Sequence, residues 1–200
     1  MAEQTLKDLK KEIFMTMHKA QEMLELAEEG FIKNKLSSLS QADELTKEIH
    51  VKADSLTAAL AKMASANNEA RSLLAVPAHI EKIAVSIKRI IEGSRSRTKE
   101  GMLFSDKAVR ETAQLFAKTK DALKKAGEAT VTGTQALIEN TLAESDSISR
   151  MANDFATAHE ERLVTGECSP KSSSIYLGIL YAFDDVGANV KDTVKRLSGK

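Results

Sequence analysis

The sequence predicts an all-α fold, six long helices arranged as a tandem pseudo-repeat of two three-helix bundles. Three observations carry that expectation. Breakers are scarce, with 9 Gly and 2 Pro in 200 residues, and aromatics make up only 4%, a balance that favours helices over strands. Apolar residues recur at three- and four-residue steps through most of the chain, the spacing of amphipathic helices. The third and sixth helical stretches also overlay one another, Glu81 falling on Asp184 at a separation of 103 residues.

The first stripe runs through Leu6, Leu9, Ile13, Met17, Ala20, Leu24, Ala27 and Phe31, with Gly30 and Asn34-Lys35 allowing a break. The second runs through Ala42, Leu45, Ile49, Ala53, Leu56, Leu60 and Met63, and the third from Leu73 through Ile80, Ile87 and Ile91 to about Gly93. Pro77 should kink that third helix or delay its start, since proline removes a donor and clashes with the preceding turn. The polar, basic segment from Gly93 to Met102 reads as the boundary between two bundles, 1–100 and 101–200. Ser105 reads as an N-cap before a fourth stripe of Val109, Thr112, Phe116, Thr119, Leu123 and Ala126. Gly127 to Thr134, β-branched and glycine-containing, reads as a loop. A fifth helix covers roughly Gln135 to Leu163. The sixth opens at Ser169-Pro170, a cap followed by a residue suited to the first turn.

The repeat is visible as matched seams. Leu73, Pro77, Ile80, Ala84, Ile87 and Ile91 lie over Tyr176, Leu180, Phe183, Gly187, Val190 and Val194. Both sets follow one helix face. Ala84 and Gly187, small residues at matching points, would let a neighbouring helix approach closely.

Composition also bounds function. Lys+Arg and Asp+Glu are equal at 29 each, so the positive surplus that nucleic-acid binding usually needs is missing. A single cysteine, Cys168, makes no internal disulfide and fits a reduced, cytoplasmic setting. The charged opening "MAEQTLKDLKKE" lacks the apolar stretch of a signal peptide, and Ile175–Phe183 is too short to span a bilayer.

Asp184 lies at the margin of the sixth seam and Glu81 at the same margin of the third, whereas Asp185 points further round toward solvent. Two readings are open: a carboxylate ligand for a hard cation, or the acidic flank common beside core stripes. His18 and His79 lack a second ligand at i+3 or i+4, and no zinc or phosphate-loop motif is present. Cys168 has no positioned base, and the serines near it read as caps. His159 falls near a helix end, where a protonated imidazole would complement the dipole. Lys82, Lys88, Arg89, Arg95, Arg97 and Lys99 form a basic segment, read either as a docking patch or as a solvated helix end.

The stretch from Ala158 to Val190 resembles the closing segment of PhoU-like proteins. An H-x-x-R-L-x-x-G turn leads through a Ser-Pro cap into the final helix. Here it is formed by His159, Arg162, Leu163, Gly166, Ser169 and Pro170, continuing into Leu177, Leu180, Asp184, Val186 and Gly187. The resemblance implies tandem three-helix bundles and a cytoplasmic, non-enzymatic regulator of phosphate transport or signalling. It implies docking on a phosphate transporter or carrier subunit, or on a sensor kinase, and homodimerisation. It also implies a repeated Glu/Asp-x-x-x-Asp motif that holds iron or divalent metals. In this chain Glu81 and Asp184 match the first acid on the third and sixth helices, while Val85 and Ala188 replace the aspartate. His50 and Asp54 occupy the pair on the second helix, and Ser145 and Ser149 the pair on the fifth. The expected metal residues are therefore His50, Asp54, Glu81 and Asp184, with one divalent or iron-type metal at the first bundle. The alternatives are a metal-binding helical bundle, which would need paired Glu-x-x-His motifs, and a structural helical adaptor unrelated to phosphate.

Overall fold

The computed structural model describes residues 5–198; the first four residues of the charged opening segment lie outside them. Seven helices follow in order: α1 Leu6–Lys33, α2 Leu36–Met63, α3 Asn68–Leu73, α4 Val76–Lys99, α5 Asp106–Thr132, α6 Gln135–Val164 and α7 Pro170–Leu197. Six are long and there is no strand among the described residues. In the first half α1, α2 and α4 pack against one another; α5, α6 and α7 do so in the second, and α1 meets α5 while α4 meets α7.

Local chemistry sets the ends. Thr5 and Asp8 form a reciprocal capping box at the start of α1, which satisfies orphan amides on both sides of the turn. Asn34 closes α1 in the left-handed conformation, φ 51°. Glu29 then gathers the turn into α2: it accepts from Ser38 at 2.6 Å and from Lys33 and Lys35 at 3.2 Å. Those donors, Ser38 first, hold its carboxyl down at about 2. Pro77 sits in the first turn of α4, where its missing N–H costs nothing. It delays the helix start, and residues 68–73 form the separate short α3. Ser105 and Ser169 cap α5 and α7 as their spacing predicts.

Two expected breaks are helical. Gly93–Met102 is not a linker: α4 continues to Lys99, with Gly93 and Ser94 turned inward and Arg97 buried. A Cβ on Gly93 would come within 2.9 Å of Ile179, so glycine here permits the close approach of α4 to α7. The actual turn lies at 100–105. Gly127–Thr134 is likewise not a loop until Gly133, where φ is 63°. Ala126, Ala129 and Thr130 extend the buried stripe of α5, and a Cβ on Gly127 would lie 3.3 Å from Phe14 of α1. In both places tertiary packing overrides local propensity.

One core runs through both halves. Its aromatic residues form a chain: Phe183 to Phe116 at 4.9 Å, Phe116 to Phe31 at 5.7 Å, Phe31 to Phe104 at 6.1 Å and Phe104 to Tyr176 at 5.4 Å. His159 closes it, 4.8 Å from Tyr176. Gly187 does what its small size suggested, since a Cβ there would meet Ile148 and the Ser145 carbonyl of α6 at 3.2–3.3 Å.

Candidate functional site

On α2, His50 and Asp54 stand one turn apart on one face, as an i, i+4 pair must. Glu81 comes from the facing side of α4. The His50 Nδ1 lies 2.6 Å from Glu81 Oε1, and its Nε2 lies 3.8 Å from Asp54 Oδ2. One ligand atom from each of the three falls within 4.8 Å of the others. All three are accessible, with side-chain exposures of 57%, 72% and 37%. Glu81's hydrogen bond, then its charge and that of Asp54, raise the His50 pKa. One imidazole and two carboxylates make a donor set suited to zinc, iron or manganese. Three ligands leave coordination positions open, and nitrogen and oxygen atoms this near need only rotamer changes to converge. The residues fit such a metal.

Asp184 is not part of that group. It is half-buried on α7; Ser145, at the paired position on α6, is buried and donates to the Thr141 carbonyl, and Ala188 is exposed. Asp185 is exposed and ion-paired with Arg89 of α4. Val85, at the missing aspartate of α4, is half-exposed at the groove beside Glu81.

Four of the six residues of the basic segment are engaged within the chain. Arg95 reaches Asp43 at 3.3 Å, Lys88 reaches the same carboxylate at 3.7 Å, and Arg89 holds Asp185. Arg97 is buried, donates to the Phe31 carbonyl at 3.1 Å, and lies over the rings of Phe31 and Phe104 at 4.5 and 5.0 Å. Such stacking suits a weakly hydrated guanidinium.

Sequence reasoning missed Glu111, the centre of a buried polar cluster with Arg162 and Tyr176. Glu111 of α5 accepts a two-pronged contact from Arg162 of α6, 3.0 and 2.8 Å, and the Tyr176 hydroxyl of α7 at 2.5 Å. Its one sequence signal was a carboxylate on the core stripe, between Ala108 and Leu115. The same geometry explains the H-x-x-R-L-x-x-G turn. The Arg162 carbonyl accepts from the amides of Glu167 and Cys168, Gly166 takes φ 77°, and His159 Nε2 lies 2.9 Å from Ser173 Oγ.

His159 is therefore not the protonated helix-end group expected. It is 3% exposed, and burial, then the Arg162 charge, push its pKa below the ordinary 6.5. Burial acts in the same direction on His79. The unfolded chain takes up these protons at higher pH than the folded one. Their contribution is thus complete above about 6.5 and is lost as pH falls through the depressed folded values. Melting temperature should fall between about pH 7 and pH 5, with a shallower slope in His159→Phe. An unchanged slope in that variant would exclude His159 as a source. His50, raised, contributes with the opposite sign and is exposed to solvent.

No family model matches the sequence, and no curated protein matches it. Solved structures do match. PhoU from Pseudomonas aeruginosa superposes with a TM-score of 0.84 at 12% identity, covering 96% of this chain and 94% of that one. The phosphate transport system regulatory protein PhoU from Streptococcus pneumoniae superposes at 0.84 and 11% identity, covering 95% and 91%. Over nearly its whole length, the chain has the fold of PhoU.

Proposed function

We propose that the chain is a non-enzymatic regulator of phosphate transport or phosphate signalling that docks on a transporter subunit or a sensor component. The observation that carries this reading is a likeness spanning both chains almost end to end, one neighbour being a phosphate transport system regulatory protein. Residues 1–100 and 101–200 are taken as two repeats of one three-helix unit, working in the cytoplasm and pairing as a homodimer. No helix among the described residues is long and apolar enough to cross a membrane, so contact with a carrier would be made by helix surfaces. The test is deletion of the gene in its host followed by measurement of phosphate uptake and accumulation at high external phosphate. Raised uptake restored by the gene supports the reading, and unchanged uptake removes it.

The same reading assigns a divalent or iron-type metal to His50, Asp54 and Glu81. A bound metal would supply positive charge and open coordination positions at the groove between α2 and α4. His50 and Asp54 would hold it from α2 and Glu81 from α4, tying the two helices together. Purified protein is expected to carry roughly one equivalent of metal, falling below about one tenth in Asp54→Asn/Glu81→Gln. Equal content in both proteins would rule out this ligand set. The three-ligand group also favours a second reading, a metal-binding bundle with no part in phosphate control. It would give the metal result without the uptake phenotype.

A further inference from the structure

We propose, resting on the metal reading above, that Lys47 and Lys88 make the groove beside His50, Asp54 and Glu81 a phosphate site. The ion pairs show how the two helices run. His50 faces Glu81, whereas Asp43 faces both Lys88 and Arg95. Numbers fall along α2 as they rise along α4, so the helices are antiparallel and one groove follows their seam. Lys47, three residues before His50, and Lys88, seven after Glu81, stand on the same helix faces as those ligands, as helical spacing requires. Both line this groove, about 510 Å³, together with His50 and Glu81.

The lysine side of the metal position is open. Asp54 lies beyond His50, on the side away from Lys47. Val85, one turn from Glu81 toward Lys88, has no donor atom and is half-exposed in the groove. Among the described residues no fourth His, Cys, Asp or Glu joins the three. The two amines are also loosely held. Lys47 pairs with Glu44 of its own helix at 3.2 Å, both side chains being exposed. Lys88 lies 3.7 Å from Asp43, a carboxylate that Arg95 approaches more closely, at 3.3 Å. Exposed pairs of this kind contribute little, so either amine can turn to an anion without a large penalty.

Charge makes the anion conditional on the metal. In the metal-free chain the Asp54 and Glu81 carboxylates face the place an oxyanion would occupy and repel it. A divalent cation cancels that charge and offers coordination positions. Phosphate suits the result better than a carboxylate does. Its oxygens point in several directions, so one can face the metal while others accept from two separate ammonium groups, and lysine serves such an anion as a point charge. Free inorganic phosphate and a phosphate monoester present this same group. The ester would lay its organic part over Val85.

The test uses the full-length chain loaded with cobalt(II), whose visible absorption reports its ligands, and freed of excess metal. Cobalt bands that disappear in Asp54→Asn/Glu81→Gln establish the metal position independently. Calorimetric titration with inorganic phosphate, phenyl phosphate and acetate follows. Phosphate is expected to bind the loaded chain saturably and shift the cobalt bands, with acetate, or the metal-free chain, weaker by about tenfold or more. Lys47→Gln/Lys88→Gln, two surface changes, should keep the cobalt bands and weaken phosphate about tenfold. Val85→Asp should hold cobalt more tightly and weaken phosphate by about the same factor, because its carboxylate fills the open side. Equal affinity for both phosphates supports the site with the free anion as ligand, and a preference of about tenfold for phenyl phosphate supports it with an ester. Cobalt binding without saturable phosphate binding overturns the phosphate site and leaves the metal reading standing. So does phosphate binding that acetate equals, that needs no cobalt, or that ignores the lysine substitutions. Absence of the cobalt bands from the wild-type chain removes the metal reading and the phosphate site together.

Discussion

Glu111→Ala is expected to lower the unfolding free energy by about 3–5 kcal/mol, because it strands a buried guanidinium. Arg162 and Glu111 have side-chain exposures of only 6% and 7%, so water cannot replace the lost carboxylate. The Tyr176 hydroxyl loses its acceptor in the same step. Tyr176→Phe alone should cost about 1–2 kcal/mol, since a hydrogen bond to a charged group is removed without burying a new charge. The double change Glu111→Leu/Arg162→Met should recover much of the loss, as apolar replacements of buried ion pairs often do. Urea unfolding followed by circular dichroism measures all three. A Glu111→Ala loss under about 1 kcal/mol would mean that the cluster is solvated and does not anchor this end of the molecule.

Phe116→Ala should cost a similar amount, about 3–5 kcal/mol, and lower the melting temperature by about 10 °C for a chain of this size. The ring is fully buried between Phe31 of α1 and Phe183 of α7. It therefore joins the two halves as well as filling space. Because one core is continuous through both, the variant is expected to melt in a single calorimetric transition, with both halves losing structure together. Two resolved transitions would show that the halves fold independently and that Phe116 serves only its own.

Much of the fold was legible because helical periodicity is a long-range, redundant signal. Each stripe repeats its face over many turns, and caps such as Ser105 and Ser169 carry their own chemistry. What misled was local composition. Gly93 and Gly127 looked like punctuation, yet each lies where another helix comes close enough to leave little space for a Cβ. Glycine as a breaker and glycine as a contact point are indistinguishable without the neighbour. The triad's members were legible from helical register together with the family motif, because His50 and Asp54 are fixed by i, i+4 spacing and Glu81 by the seam. The Glu111–Arg162–Tyr176 cluster spans three helices and 65 residues, and no one-dimensional pattern links such partners. Arg97 was misread for the same reason: its charge suggested solvent, whereas two rings and a carbonyl hold it inside.

The tyrosine of that cluster also determines how the molecule can be observed. The chain has no Trp and 2 Tyr, and both tyrosines, Tyr176 and Tyr181, belong to α7. One is 1% exposed with its hydroxyl on a carboxylate, the other 44% exposed. Tyrosine emission and the tyrosine band of the near-ultraviolet dichroism therefore report on a single helix. They will register events along α7, while α2 and α4, where a metal would be held, carry no tyrosine of their own. A tryptophan introduced beside His50, at the half-exposed Val85, would give the other face a signal of its own.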